Sequence, residues 1–406
     1  MEKYYSKQLY AQDGPTDGTL CVENGAICAI EPGMSPGAAD FGEYRIIPGI
    51  IDTHVHGNQG YSMSPEGFGS FEEQLNGFLK SLAGDGVTSV FPTLFGMSPA
   101  NEQTLDVISL IAGRVGQPAD GAEIAGIHYE GPYLNRVGEH GTWTQPPEID
   151  LGFVREVIKA ADGKLKLMGL APELPGTYGL IDLLLANNVA AAFTHTDCMS
   201  AEAFAAFDRG ISVATHLCNV MTGIHHRDVG GLGAAILDGR VSCELICDGL
   251  HVTNNMIEII LRATPHERIM MISDCTGLSG APPGTYESFL GLEGFTIVDE
   301  SGFVKEPGGR LRGSTKSVLY GVGNLVGNLG YSLEEVLRLS SANAACKYGL
   351  SSKAALAPGK DADFVVIDSD YNALKTYVRG RKVFDRKTDE VFNKEIFVSA
   401  FLKTSC

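Results

Sequence analysis

The chain has 406 residues, 44% of them hydrophobic and 20% charged, a composition that excludes a disordered or fibrous protein and allows a large buried core. A formal net charge of −18 argues against nucleic acid or an anionic membrane surface as the main partner, although a local cationic pocket can still hold a small anion. The nine cysteines are scattered, odd in number and without a CxxC pair, as expected of reduced thiols in a cytoplasm.

The first stretch, "MEKYYSKQLYAQDG", lacks the apolar run of a secretory signal, and no segment reads as long enough to span a bilayer. Residues 1–47 carry short β-type runs such as "TLCVENGAICAIEPG". From 48 onward, short apolar runs alternate with amphipathic stretches such as "SFEEQLNGFLKSLAGDG", the pattern of parallel strands joined by crossover helices. Eight strand candidates follow in order: "GIIDTHVH", "GVTSVFPTLF", "EIAGIHYEG", "LKLMGLAPE", "VAAAFTHTD", "ISVATHLCN", "CELICDGLH" and "RIMMISDCT". They predict a (β/α)8 TIM-type barrel over 48–353. Residues 284–313 have a hairpin-like pattern of their own and read as a lid insertion over the barrel mouth. Residues 354–406 return to short β runs, "LAPGKDADFVVIDSD" and "YVRGRKVFD", with Pro358-Gly359 and Gly380 as turns. They are expected to join 1–47 in a small β-sandwich domain built from both chain ends.

The residues at the strand ends carry the chemistry. His54 and His56 are two apart, so on a strand both leave the same face. The third strand ends in Glu130, the fifth in His195, the sixth in His216, the seventh in His251 and the eighth in Asp274. Barrel active sites form at this C-terminal end. His195, His216 and Glu130 make a three-ligand set with one position open to water, and His54 with His56 is half of another. A bridging Glu130 would let the site hold two divalent metals. Imidazole and carboxylate together suit zinc first, with iron or manganese possible. Asp274 is the acid/base candidate beside the metal; the competing reading is a helix N-cap. Cys275 should face away from Asp274's side of the strand and is not read as a nucleophile. The fourth strand ends "LAPE", with Lys164 and Lys166 at its start, so a bridging carboxylated lysine is not expected.

"PGIIDTHVHG" followed by "APGKDADFVVID" resembles the amidohydrolase superfamily. "GIHYEGPYLN", "THLCNVMTGIHHRDVGGLGAA", "CELICDGLHV" and "ISDCTG" resemble, within it, the N-acetylglucosamine-6-phosphate deacetylase family. That resemblance implies metal-dependent release of acetate from an N-acetylhexosamine 6-phosphate, in amino-sugar catabolism. It implies Glu130, His195 and His216 as main metal ligands, and keeping His54 and His56 places the chain with two-metal members. It implies His251 as a substrate contact, and Asn219, Val220 and Arg227 around the sugar phosphate. It also implies a homodimer with the substrate site near the subunit interface. His140, in the stretch "NRVGEHGTW", is the best match to a further substrate histidine. Arg312 stands in the lid where a small residue is common. Gluco and galacto substrates are left open, as is another amide or cyclic amide.

Overall fold

The computed structural model describes residues 1–63, 70–96, 102–136, 147–287, 295–306 and 311–389. His140 therefore lies outside the described residues.

The eight apolar runs form one parallel sheet that curls into a nearly closed barrel. Ile50–Val55 pairs with Val87–Phe95, and the path continues through Ile127–Glu130, Leu165–Leu170, Ala190–Phe193, Val213–Ala214 and Ser242–Ile246 to Ile269–Ile272. Every residue of Ile50–Val55 is buried, because both faces of a barrel strand are covered. At the C-terminal end the first and last strands are joined: Asp274 N–H donates to His54 O at 2.9 Å and His56 N–H to Cys275 O at 2.8 Å.

Crossover helices cover the outside. In Phe71–Gly84, Leu75, Phe78, Leu79 and Leu82 recur at helical spacing and all are buried. Ser70 starts that helix with a capping box: its hydroxyl accepts from Glu73 N–H, and the Glu73 carboxylate accepts from Ser70 N–H at 3.0 Å.

A second, sheet-rich domain draws strands from both chain ends. Its order runs Arg381–Asp385, Ala373–Val378, Phe364–Ile367, Arg45–Pro48, Glu2–Ala11, Gly14–Glu23, Ala26–Pro32, with Ala39–Asp40 beside Glu2–Ala11. Leu9, Leu20, Ile46 and Phe364 are fully buried in its core. Buried Lys353 ties this domain to the barrel. Its Nζ lies 3.0 Å from Glu123 of the barrel sheet, 3.1 Å from Asp361 and 2.9 Å from Asp363, both just before Phe364–Ile367. The fold is the one expected, a TIM-type barrel with a separate sheet-rich domain.

Gly284–Glu287, Phe295–Val298 and Val304–Lys305 form a small antiparallel sheet. The chain beyond it returns to the barrel, where Ser314 N–H donates to Asp274 O at 2.8 Å. No helix among the described residues is long and apolar enough to cross a membrane.

Candidate metal centre

Six of the seven residues expected at the strand ends converge on one spot. His54 and His56 do leave the same side of their strand, with Nε2 atoms 3.1 Å apart. Glu130 divides its carboxylate between two groups. Its Oε2 lies 3.3 Å from His54 Nε2 and 3.1 Å from His56 Nε2. Its Oε1 lies 3.2 Å from His195 Nε2 and 2.9 Å from His216 Nε2. The His195 and His216 Nε2 atoms are 3.2 Å apart. Asp274 Oδ1 completes the first group, 3.5 Å from His54 Nε2 and 3.4 Å from His56 Nε2.

Three of these residues leave their strands in the left-handed region: His195 at φ 49°, His216 at φ 32° and Asp274 at φ 51°. Such a backbone costs roughly 1–3 kcal/mol per residue and persists where its surroundings enforce it. Here it turns the side chains inward over the barrel. The ring orientations are fixed from behind. His56 Nδ1 meets Thr93 O at 3.1 Å, and His195 Nδ1 meets Arg136 O at 2.7 Å.

The electrostatics ask for a cation. Burial pushes His54 down, but Glu130, Glu244 and Asp274 more than reverse this and hold its pKa well above the usual value. Burial also opposes charge on His56, yet Asp274 and Glu130 lift it to about 9. Burial raises the carboxylates, and the histidines overcome it: Glu130 stands well below its ordinary value and Asp274 falls to about 2. Ionised carboxylates that draw protons onto neighbouring imidazoles create the negative potential that a metal would neutralise in their place. Nitrogens bound to one tetrahedral zinc at ~2.0–2.1 Å lie about 3.3 Å from each other, close to the spacings here. The imidazole and carboxylate donors thus fit one or two divalent ions, with Glu130 between them.

The Amidohydrolase family profile matches residues 45–384. The chain belongs to that family. This amidohydrolase is 32% identical to the N-acetylglucosamine-6-phosphate deacetylase of Vibrio furnissii over 388 residues, 94% of each chain. It is 30% identical to the N-acetylgalactosamine-6-phosphate deacetylase of Escherichia coli O157:H7 over 385 residues, 93% of this chain and 97% of the relative. Among solved structures it matches a mutant N-acetyl-D-glucosamine-6-phosphate deacetylase of Mycobacterium smegmatis in complex with N-acetyl-D-glucosamine-6-phosphate. The TM-score is 0.83 at 28% identity, covering 94% of this chain and 99% of the other.

The other expected residues of the amidohydrolase are placed less uniformly. His251 is half-buried near the small antiparallel sheet: its Nδ1 meets Asp248 Oδ2 at 2.8 Å, its ring lies 6.3 Å from that of Phe303, and its Nε2 has no hydrogen-bond partner. Asn219 and Val220 sit in the loop after His216, with Asn219 Nδ2 donating to His216 O at 3.1 Å and Val220 at φ 52°. Arg227 is exposed, its Nε 3.1 Å from His226 Nε2. It is not paired with Asp228, whose Oδ1 accepts from Ser200 N–H at 3.1 Å and Gly230 N–H at 2.8 Å. Arg312 is held by Glu306, just beyond the small antiparallel sheet. Cys275 points away from Asp274, its Sγ 3.3 Å from Lys316 O. The N-cap reading of Asp274 does not hold, since its carboxylate faces the histidines.

Sequence reading passed over the groups behind the cluster. Asp248 also accepts Ser314 Oγ–H at 3.1 Å, so it orients His251 and anchors the chain where it returns to the barrel. Glu244 and His128 are fully buried inside the barrel. The available signal was an acid within the apolar run "SCELI" and a histidine within "GIHYEG", neither of which belongs in a core without a partner.

Proposed function

We propose that this amidohydrolase removes the acetyl group of N-acetyl-D-glucosamine 6-phosphate, yielding D-glucosamine 6-phosphate and acetate in amino-sugar catabolism. The observation that carries the reading is Glu130 set between two histidine pairs with Asp274 facing them, in a chain similar along almost its whole length to deacetylases of that substrate. His54, His56 and Asp274 would hold one ion and Glu130, His195 and His216 the other, with Glu130 reaching both. The donor set favours zinc, with iron or manganese as alternatives. A bound divalent ion supplies Lewis acidity and makes water acidic enough to ionise near neutral pH.

The chain's own groups then have defined tasks. Asp274, ionised at neutral pH, takes a proton from the attacking water and passes it to the departing amine. His251, with Nδ1 fixed by Asp248, turns Nε2 toward the acetyl oxygen or a sugar hydroxyl. Asn219, Val220 and Arg227 receive the 6-phosphate, and His140 contacts the sugar. Met199 and Ile224 are 45% and 54% exposed beside the Arg227 loop, which supports a homodimer interface there. The eight described cysteines are all unpaired, which supports a reducing cytoplasmic setting.

The E. coli O157:H7 relative favours a second reading, the galacto epimer as substrate. Acetate release from both epimeric 6-phosphates, compared as kcat/KM, decides between them. The gluco compound should be preferred at least tenfold; the reverse ratio would assign the galacto substrate, and no release from either would reject both.

A further inference from the structure

Glu244 lies on the seventh barrel strand, Ser242–Ile246, with 0% exposure. It meets the Nδ1 side of the His54 ring, whereas Glu130 and Asp274 meet its Nε2 side. Its Oε1 accepts from Thr53 Oγ–H at 2.7 Å. Its Oε2 and His54 Nδ1 both lack a hydrogen-bond partner, and they are 3.7 Å apart. A carboxylate oxygen and an imidazole nitrogen left unpaired in a core are each costly. A shift of about 1 Å would join them at ordinary hydrogen-bond length. His56 and His195, by contrast, turn Nδ1 to neutral backbone carbonyls.

We propose that Glu244 is a positioning residue that accepts a hydrogen bond from the Nδ1–H of His54. This fixes the tautomer, aims the Nε2 lone pair at the space shared with His56 and Asp274, and makes His54 the stronger donor to a metal. The proposal rests on the reading of the cluster as a metal centre. The plain structural alternative is that Glu244 serves only Thr53, knitting the first and seventh strands together.

The test is titration of metal-stripped wild type, Glu244→Gln and Thr53→Val with Co(II), by visible absorption and chelator competition. Wild type should take two equivalents. Glu244→Gln should bind one of them roughly 10- to 100-fold more weakly, with its absorption band shifted and the other unchanged. Thr53→Val keeps the carboxylate and should stay within about threefold of wild type, since a neutral bond of ~1 kcal/mol is at stake. Equal losses in the two variants, or an unchanged Glu244→Gln, would overturn the role of Glu244 while the metal centre stands. A wild type that takes no Co(II) would overturn both. A reading that needs no variant is nitrogen-15 NMR of the zinc-loaded wild type, in which His54 Nδ1 should carry its proton; a bare Nδ1 contradicts the proposal.

Discussion

Asp274 and Arg227, the proposed acid/base and the proposed phosphate ligand, are constrained very differently. Asp274 is fixed by backbone bonds on both sides, donating its N–H to His54 O and accepting Ser314 N–H, so its carboxylate has one place to be. Asp274→Asn keeps that shape but cannot carry a proton. It should retain metal on Glu130, His195 and His216 while kcat falls on the order of 10²- to 10⁴-fold; activity within a few-fold of wild type would remove Asp274 from the chemistry. Arg227 is exposed and pairs with no carboxylate among the described residues, which suits the phosphate contact proposed for it. Arg227→Ala should raise KM for the 6-phosphate roughly 10- to 100-fold, the worth of a charge-assisted contact. Poor turnover of the unphosphorylated sugar should hardly change, and equal loss on both substrates would make Arg227 structural. The histidines and acids at the strand ends were legible because they recur at one position of a repeating unit. Glu244 and Asp248 were not, because their significance lies in contacts: Glu244 meets Thr53, 191 residues away, and Asp248 meets Ser314, 66 residues away.

At the level of elements, the strands were visible as apolar runs because both faces of a barrel strand are buried. The turns that aim the ligands were not visible. Little in "THTD", "THLCNV" or "SDCT" announces a left-handed residue: no glycine marks the positions, and His and Asp only enter that region more often than most residues, a weak signal for His195, His216 and Asp274 and none for Cys218 or Val220. Those backbones are set by the barrel around them. Helix starts are a simpler case, written locally. Ser70 and Glu73 form a complete capping box on Phe71–Gly84, far in the chain from every ligand except the first pair. Ser70→Ala should cost about 1 kcal/mol in denaturant unfolding and leave kcat/KM and metal content unchanged. A drop in metal content would show that this helix helps to hold the first strand in register.

Across the whole molecule, Lys353 is a buried cation that helps to join the barrel to the sheet-rich domain. It is 5% exposed among Glu123, Asp361 and Asp363, with Arg379 Nε 2.8 Å from Glu123. Lys353→Met leaves Glu123 and Asp363 buried without their central cation and should destabilise the fold by about 3–5 kcal/mol. Thermal unfolding that shifts by less than a degree would show the cluster to be solvated. The two chain ends meet in one sheet because Arg45–Pro48, leading into the first barrel strand, pairs with Phe364–Ile367. The account as a whole turns on the histidine–carboxylate cluster being a metal centre that cleaves the acetamide. Zinc titration of metal-stripped protein, with acetate release from N-acetyl-D-glucosamine 6-phosphate followed at each step, tests this most directly. Release should rise from near zero and level off at one or two equivalents of zinc. Undiminished release from fully stripped protein, or none at full occupancy with zinc, iron or manganese, would contradict it.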